Sequence, residues 1–280
     1  MRFATLNTWG MRGDWDRRRE VLRAGFRSIA PDIITLQETV LTSEHDQARE
    51  ILAAEYHFAQ QTDREVGRAD APAGQGITTA SRWPIGRILE VDLHLTDRTA
   101  EFACTCLITE ILAPPPMGRI WVANHFPDYQ LDHERERRLQ AAKVGRALED
   151  LVGSAPGHVI VAGDLDADFG ADSIRFWTGR HVIDDLSVCY RSSWEAIGHR
   201  PADTQTYLPD NPLQTEAADW PNRSIDHVFV RCDHNGPTLL VNGCMRIFNT
   251  RADTVSDHYG VLVDLCVPRA AAGGGTGASS

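Results

Sequence analysis

Runs of β-branched and aromatic residues recur along the chain, each bounded by Gly, Pro or Asp, and such runs predict β-strands. They lie at 2–9, 32–37, 86–95, 101–112, 119–126, 158–163, 225–231 and 259–267. Apolar residues at helical spacing predict helices over 14–30, 44–55 and 131–152. Because these helices are fewer than the strands, the pattern favours an α/β architecture of two packed β-sheets flanked by helices.

Two segments depart from this periodic pattern. Residues 191–224 are rich in Pro, Asp, Asn and Thr, which predicts long loops at the rim of the scaffold, and loops of that length are often functional. The segment 269–280 contains mainly Ala, Gly and Ser, which predicts a flexible tail. Nothing else resembles a linker, so we expect one domain over 1–268.

Composition excludes several classes of protein. The chain has 280 residues, 42% of them hydrophobic and 24% charged, as in ordinary globular proteins, and no apolar run approaches the ~18 residues of a membrane helix. The net charge of −11 disfavours a protein whose main task is to coat nucleic acid, although a local basic groove stays open. The six cysteines show no zinc-ligand spacing and favour buried free thiols. Since the first residues already alternate like a strand, without a targeting segment, we expect a cytoplasmic protein.

Acidic, amide and histidine residues stand at the ends of apolar strands. They are Asn7, Glu38, His125, Asp164 with Asp166, and Asp257 with His258. Taken singly, each is also consistent with a turn-forming or packing role. Strand ends on one rim converge where α/β folds place ligand sites, and carboxylates gathered there raise each other's pKa values unless a cation offsets them. The set therefore predicts a hard divalent ion, Mg²⁺ or Mn²⁺, acting on a phosphate substrate.

Six short motifs follow one another between residues 3 and 266. They are LNTWG at 6–10, PDIITLQE at 31–38, NH at 124–125, GDLD at 163–166, SIDHVFV at 224–230 and SDHYGV at 256–261. In this order they resemble the endonuclease/exonuclease/phosphatase superfamily, which includes DNase I-like nucleases, AP endonucleases, inositol polyphosphate phosphatases and neutral sphingomyelinases. The resemblance implies a four-layered α/β sandwich of two packed mixed β-sheets flanked by helices, and divalent-metal-dependent phosphoester hydrolysis.

The resemblance also implies roles for the polar residues. The metal contacts would come from Glu38, with Asn7 and Asp257 close by. His258 would pair with Asp226 and face the scissile phosphate. Asp164 would orient or deprotonate the attacking water, and His125 would bind the phosphate or assist the leaving group. Which group is the general base stays open.

One position departs from the family pattern, which usually has Asn where this chain has Asp166. An amide donates a hydrogen bond to a phosphate oxygen, whereas an ionised carboxylate only accepts, so Asp166 is either protonated or turned toward a metal. Our hypothesis is that it helps Asp164 to hold a second divalent ion. Side chains near the motifs or on rim loops are candidate substrate contacts, namely Arg82, Tyr129, Thr206 and Arg223. Arg82 lies in 76–85, interpreted as a strand and turn, where a solvated arginine is the alternative.

The leading hypothesis is a phosphoesterase that hydrolyses a phosphodiester or phosphomonoester by in-line attack of activated water. Its substrate would be nucleic acid or a small nucleotide-like or phosphorylated metabolite. The alternatives are a non-catalytic metal- or phosphate-binding protein of the same fold and a sphingomyelinase-like lipid phosphodiesterase. The AP-endonuclease interpretation is weakened because Thr39, not lysine, follows Glu38, and no Gly-x-Ser-x-Gly motif supports a serine hydrolase. The sequence leaves the oligomeric state open.

Overall fold

The computed structural model describes residues 1–64, 73–99, 103–214 and 221–268. The strands are β1 (Arg2–Asn7), β2 (Ile33–Val40), β3 (His57–Gln60), β4 (Gln75–Ser81), β5 (Ile85–Asp92), β6 (Thr105–Leu112), β7 (Arg119–Phe126), β8 (His158–Asp164), β9 (Tyr190–Ser192), β10 (Asp226–Asp233), β11 (Gly236–Pro237), β12 (Leu240–Ile247) and β13 (Gly260–Cys266). The helices are α1 (Trp15–Ile29), α2 (Gln47–Ile51), α3 (Glu134–Ser154), α4 (Asp172–Trp177), α5 (Ser193–Ile197) and α6 (Pro201–Thr204), and a 3₁₀ turn spans Asp97–Thr99.

The strands form two mixed sheets. One runs β12-β13-β1-β2-β4-β3, and the other runs β11-β10-β8-β7-β6-β5, with β9 also paired to β10. The pairs β1–β2 and β7–β8 are parallel, and their neighbours are antiparallel. The predicted fold class, two packed mixed sheets flanked by helices, is confirmed.

Alternation along the strands builds three apolar layers. Between the sheets, Phe3 and Ile33 pack with Ile120 and Val122 of the other sheet. The outer layers lie under α1, which buries Leu22 and Phe26, and under α3, which buries Val144, Leu148 and Leu151. Because successive strand residues point to opposite faces, position along each strand determines which layer a side chain enters.

Several sequence expectations need correction. The predicted helix at 44–55 is only Gln47–Ile51, and the predicted loops at 191–224 contain β9, α5 and α6. Buried thiols were expected, and Cys104, Cys106 and Cys244 are buried, but Cys189 is exposed. The predicted strand at 101–112 begins at Thr105, and residues 101–102, 215–220 and the predicted tail 269–280 lie outside the described residues. Among the described helices, none has the length and apolarity that crossing a membrane requires.

A polar contact fixes the two sheets relative to each other. Asn124 of β7 donates through Nδ2 to the main-chain oxygens of Leu36 (3.2 Å) and Thr78 (3.1 Å) in the opposite sheet. Its Oδ1 accepts from Nε2 of Gln37 at 2.8 Å. These buried groups satisfy one another where an unpaired polar group would be costly, and they place Glu38, the residue after Gln37, at the sheet interface.

Candidate active site

Carboxylates from β8 and β10 face each other at one end of the space between the sheets. Asp226 lies directly opposite Asp164 in the antiparallel pair. Both side chains point into the space between the sheets, because Val228 and Ala162, two residues away in the same strands, also lie there. Like charges directly opposite each other destabilise a strand pair, so this arrangement requires a positive group nearby.

His258 supplies that positive group. Its Nδ1 lies 3.0 Å from Oδ2 of Asp226, and its Nε2 lies 3.7 Å from Oδ2 of Asp164. Burial alone would lower the pKa of His258, but the carboxylates of Asp226 and Asp164 outweigh it and hold that pKa well above its ordinary value. The imidazole is therefore a cation between two carboxylates, with the Tyr207 ring 4.9 Å from its own ring.

Asn7 connects this group to Glu38 of the other sheet. Its Nδ2 donates to Oε1 of Glu38 (3.0 Å) and to Oδ2 of Asp164 (2.9 Å), while its Oδ1 accepts from the Trp9 N–H at 2.9 Å. In this arrangement the amide orients two carboxylates and turns its own oxygen away from them. Glu38 has a positive φ of 56° at a bulge in β2, which redirects its side chain.

Two arginines that sequence reasoning missed support the site. Arg12 Nη1 lies 2.8 Å from Oε2 of Glu38. Arg18 is buried and donates to the main-chain oxygens of Thr8, Gly10, Arg12 and Val255. It thereby holds together the turn after Asn7 and the segment before Asp257. In the sequence, the only sign of Arg12 and Arg18 is that they are basic residues shortly after the first motif, LNTWG at 6–10.

The carboxyl groups of Asp164, Asp166 and Asp257 all have raised pKa values. Burial and the neighbouring Asp166 carboxylate hold the pKa of Asp164 well above its ordinary value, against the opposing charge of His258. Burial also raises the pKa of Asp166 to about 6 and that of Asp257 to about 6, and the charge of Glu38 contributes to the latter. Because these carboxyl groups are buried and close together, each of them resists ionisation.

Arg223 lies beside Asp166. Its Nη2 donates to the main-chain oxygen of Asp166 at 2.7 Å, and its Nη1 lies 3.8 Å from Oδ1 of the same residue. Asp166 adopts a positive φ of 50°. Because a cation already stands next to Asp166, the case for a second metal ion at this carboxylate is weaker than the sequence suggested.

Two sequence-predicted residues lie away from the carboxylates, and a third contacts the Asp226 main chain. The His125 ring packs on Trp177, with centroids 5.9 Å apart, on the helix-covered side of β7, opposite to Asn124. Burial lowers its pKa to about 3, so it is a neutral packing histidine and not a group touching the carboxylates. Arg82 follows Ser81, which pairs with Ile33 at the far end of β2 from Glu38, and its ion pair is with Glu55. Thr206 is buried, and its Oγ1 accepts from the Asp226 N–H at 3.2 Å, so it positions that residue.

Tyr129 lies on the loop between β7 and α3, with 47% of its surface exposed. That loop is held by Arg137, which donates to the main-chain oxygens of Asp128, Gln130 and Leu131. Tyr129 stays a candidate substrate contact.

The donor set fits a hard divalent cation. Oxygen donors from several carboxylates meet here, and Oδ1 of Asp226 is buried without a hydrogen-bond partner among the described residues. Ligand atoms of Asp164, Asp226 and His258 lie within 4.8 Å of one another. A protonated imidazole, however, offers no lone pair, and both ring nitrogens of His258 face carboxylates. The carboxylate oxygens at this end of the fold, not the His258 ring, therefore suit Mg²⁺ or Mn²⁺.

Comparisons with known proteins bear on the family and the fold. A family model described as "Endonuclease/Exonuclease/phosphatase family" matches residues 4–258. TDP2 of D. rerio, solved with a single-strand DNA product, superposes with a TM-score of 0.72 at 16% identity, covering 95% of this chain and 99% of that one. The human Nocturnin catalytic domain, solved with a sulfate anion, gives 0.70 at 17% identity over 96% and 94% of the two chains.

A bacterial structure described as endonuclease/exonuclease/phosphatase, from Beutenbergia cavernae, gives a TM-score of 0.67 at 21% identity over 95% of this chain and 71% of that one. At these identities the structural likeness establishes the fold. A comparison with curated protein sequences finds no significant match.

Proposed function

Because the chain belongs to the endonuclease/exonuclease/phosphatase family, we propose that it is a divalent-metal-dependent hydrolase of a phosphodiester or phosphomonoester. Its substrate is nucleic acid or a small nucleotide-like compound. The observation that carries the proposal is the His258 ring between Asp226 and Asp164, adjoining the Asn7–Glu38 contact. In-line attack on phosphorus requires an activated water and positive groups on the developing charge, and these residues can supply both.

Asp164 and His258 divide the proton chemistry in this proposal. Asp164 has a raised pKa and so accepts a proton readily from a water molecule bound beside it. Asp226 holds Nδ1 of His258, which leaves the Nε2–H to donate to a phosphate oxygen. Asn7 keeps the Asp164 carboxylate oriented through its Nδ2. A positioned donor or base of this kind contributes typically ~10²–10⁴-fold to a rate.

Glu38 and Asp257 would hold the divalent cation, which, when bound, stabilises negative charge on the phosphate oxygens. Arg12 pairs with Glu38 at the bulge in β2, and Arg18 holds the segment before β13 that carries Asp257. The hypothesis that Asp166 helps to hold a second ion stays a prediction. Metal stoichiometry in the wild type and in Asp166→Asn tests it, and an unchanged count with unchanged activity would refute it.

A substrate panel tests the proposal. Release of phosphate or product is measured from bis-p-nitrophenyl phosphate, p-nitrophenyl phosphate, plasmid DNA, single-stranded RNA and nucleotides, each with Mg²⁺, Mn²⁺ or EDTA. The structure of D. rerio TDP2 with a DNA product supports including polynucleotides. We expect metal-dependent turnover that His258→Ala abolishes and that His234→Ala, an exposed histidine between β10 and β11, leaves intact.

Two outcomes would contradict the proposal. Turnover that survives in His258→Ala would remove that residue from the chemistry. Absence of turnover on every member, in folded protein with metal present, would favour a non-catalytic binding protein of the same fold.

A further inference from the structure

Carboxylates and cations are interleaved at the site. Its carboxylates are Glu38, Asp164, Asp166, Asp226 and Asp257, and its cations include Arg12, Arg18, Arg223 and His258. A dianionic phosphomonoester brings one more negative charge to these carboxylates than a monoanionic phosphodiester does. Additional negative charge in a buried site is unfavourable unless it is compensated.

Asp166 is less closely neutralised than Asp226 or Glu38. Asp226 has its partner His258 at 3.0 Å and Glu38 has Arg12 at 2.8 Å. The nearest cationic atom to the Asp166 carboxylate is 3.8 Å away on Arg223, and that carboxylate accepts no hydrogen bond from the described residues.

The charge of Asp166 is nevertheless directed at the reacting groups. The main-chain N–H of Asp166 donates to Oδ1 of Asp164 at 3.2 Å, and besides burial, the Asp166 charge helps to raise the pKa of Asp164. The groups whose charges act on Asp166 in turn are Arg223, His258, Arg137 and Asp226. Its side chain is only 10% exposed, so solvent screens it weakly. A phosphate bound between Asp164 and His258 would therefore experience the Asp166 charge.

We propose that Asp166 sets the ester class of the substrate by disfavouring dianionic phosphomonoesters, so that phosphodiesters are the preferred substrates. The inference rests on the proposed function. We consider one additional negative charge on the substrate, ~6 Å from a carboxylate, at an effective dielectric constant of about 20–40. Its repulsion corresponds to roughly 10–100-fold discrimination between phosphodiesters and phosphomonoesters.

The test compares kcat/KM for bis-p-nitrophenyl phosphate and p-nitrophenyl phosphate at about pH 8, where a monoester is a dianion. Wild type should prefer the diester, and Asp166→Asn should lower the diester-to-monoester ratio by roughly 10-fold or more. Asp166→Gly, which suits the positive φ, should do the same, because it removes the charge without adding an amide donor.

Asp168→Asn is the matched control. Asp168 also pairs with Arg223, at 4.0 Å, but its side chain is 49% exposed. Its Oδ1 accepts from the Ser224 N–H, which an amide oxygen can also do. This variant should leave the ratio within about twofold of wild type, since an exposed charge is screened.

Calorimetric binding of inorganic phosphate gives a readout that needs no turnover. Both Asp166 variants should bind it roughly 10-fold or more tightly than wild type, and Asp168→Asn should not. Unchanged phosphate affinity, an unchanged ester ratio in active variants, or a change in Asp166→Asn alone would overturn the inference. If wild type hydrolyses neither ester, the proposed function fails, and the binding measurement still decides the effect of the Asp166 charge.

Discussion

Replacement of His125 by Phe should make folding less sensitive to acid. Burial lowers the pKa of His125 to about 3 in the folded protein, whereas an unfolded histidine has its ordinary pKa of about 6.5. Between these values the unfolded chain binds more protons. The stability that the neutral ring contributes is therefore complete above about pH 6.5 and is lost as pH falls toward about 3. Between about pH 7.5 and pH 5 this linkage lowers the free energy of unfolding of the wild type by ~2 kcal/mol, and phenylalanine at this position contributes no such loss.

Urea unfolding, monitored by tryptophan fluorescence with EDTA present, measures this difference at both pH values. Other titrating groups act equally in wild type and variant, so they cancel in the comparison. Nδ1 of His125 is buried without a partner among the described residues, which makes an apolar ring an acceptable replacement. His234→Phe, at an exposed position, is the control. An identical pH dependence in wild type and His125→Phe would show that the ring is accessible to protons and would refute its placement against Trp177.

Other substitutions test the site and its support. Asp226→Asn should lower kcat by ~10²–10⁴-fold, and NMR titration should show a lower His258 pKa, because the carboxylate that stabilises the imidazolium is gone; an unchanged pKa would contradict the pairing. Asn124→Ala removes the side-chain donor to two buried main-chain oxygens and the acceptor of Gln37 Nε2, and it should reduce the free energy of unfolding in urea by about 2–5 kcal/mol, whereas a loss below about 1 kcal/mol would contradict the inter-sheet contact. Gly25→Ala places a Cβ against the Phe248 ring and should lower the melting temperature, with a loss of about 1–3 kcal/mol despite the better helix propensity of Ala; a raised melting temperature would refute that close packing.

The interior strands were predictable because apolar runs identify buried strands directly. The edge strands β3 and β12 were not. β12 alternates between exposed and half-buried positions over most of its length, and β3 has only four residues with one fully buried. Such segments bury too little apolar surface to stand out from loops. The short helix α4 was missed for the related reason that six residues cannot show helical periodicity.

Candidate site residues at strand ends were visible in the sequence, but the directions of their side chains were not. Asn124 and His125 are adjacent in one strand, so only one of them can face the opposite sheet, and strand register decides which. Arg82 follows β4, and because β4 runs antiparallel to β2, it lies at the opposite end of β2 from Glu38. Arg12 reaches the site from the turn after β1 and Arg18 from the start of α1, and residue spacing does not encode either placement.

The most direct test of the central claim is calorimetric titration of EDTA-treated protein with Mn²⁺, together with ester hydrolysis in the same samples. Glu44→Gln, an exposed carboxylate after β2, is the control for Glu38→Gln. We predict saturable binding and metal-restored hydrolysis in wild type and Glu44→Gln, with binding weakened by roughly tenfold or more and hydrolysis lost in Glu38→Gln. Equal Mn²⁺ binding in all three proteins, or hydrolysis that EDTA does not stop, would contradict a divalent-cation phosphoesterase centred on Glu38.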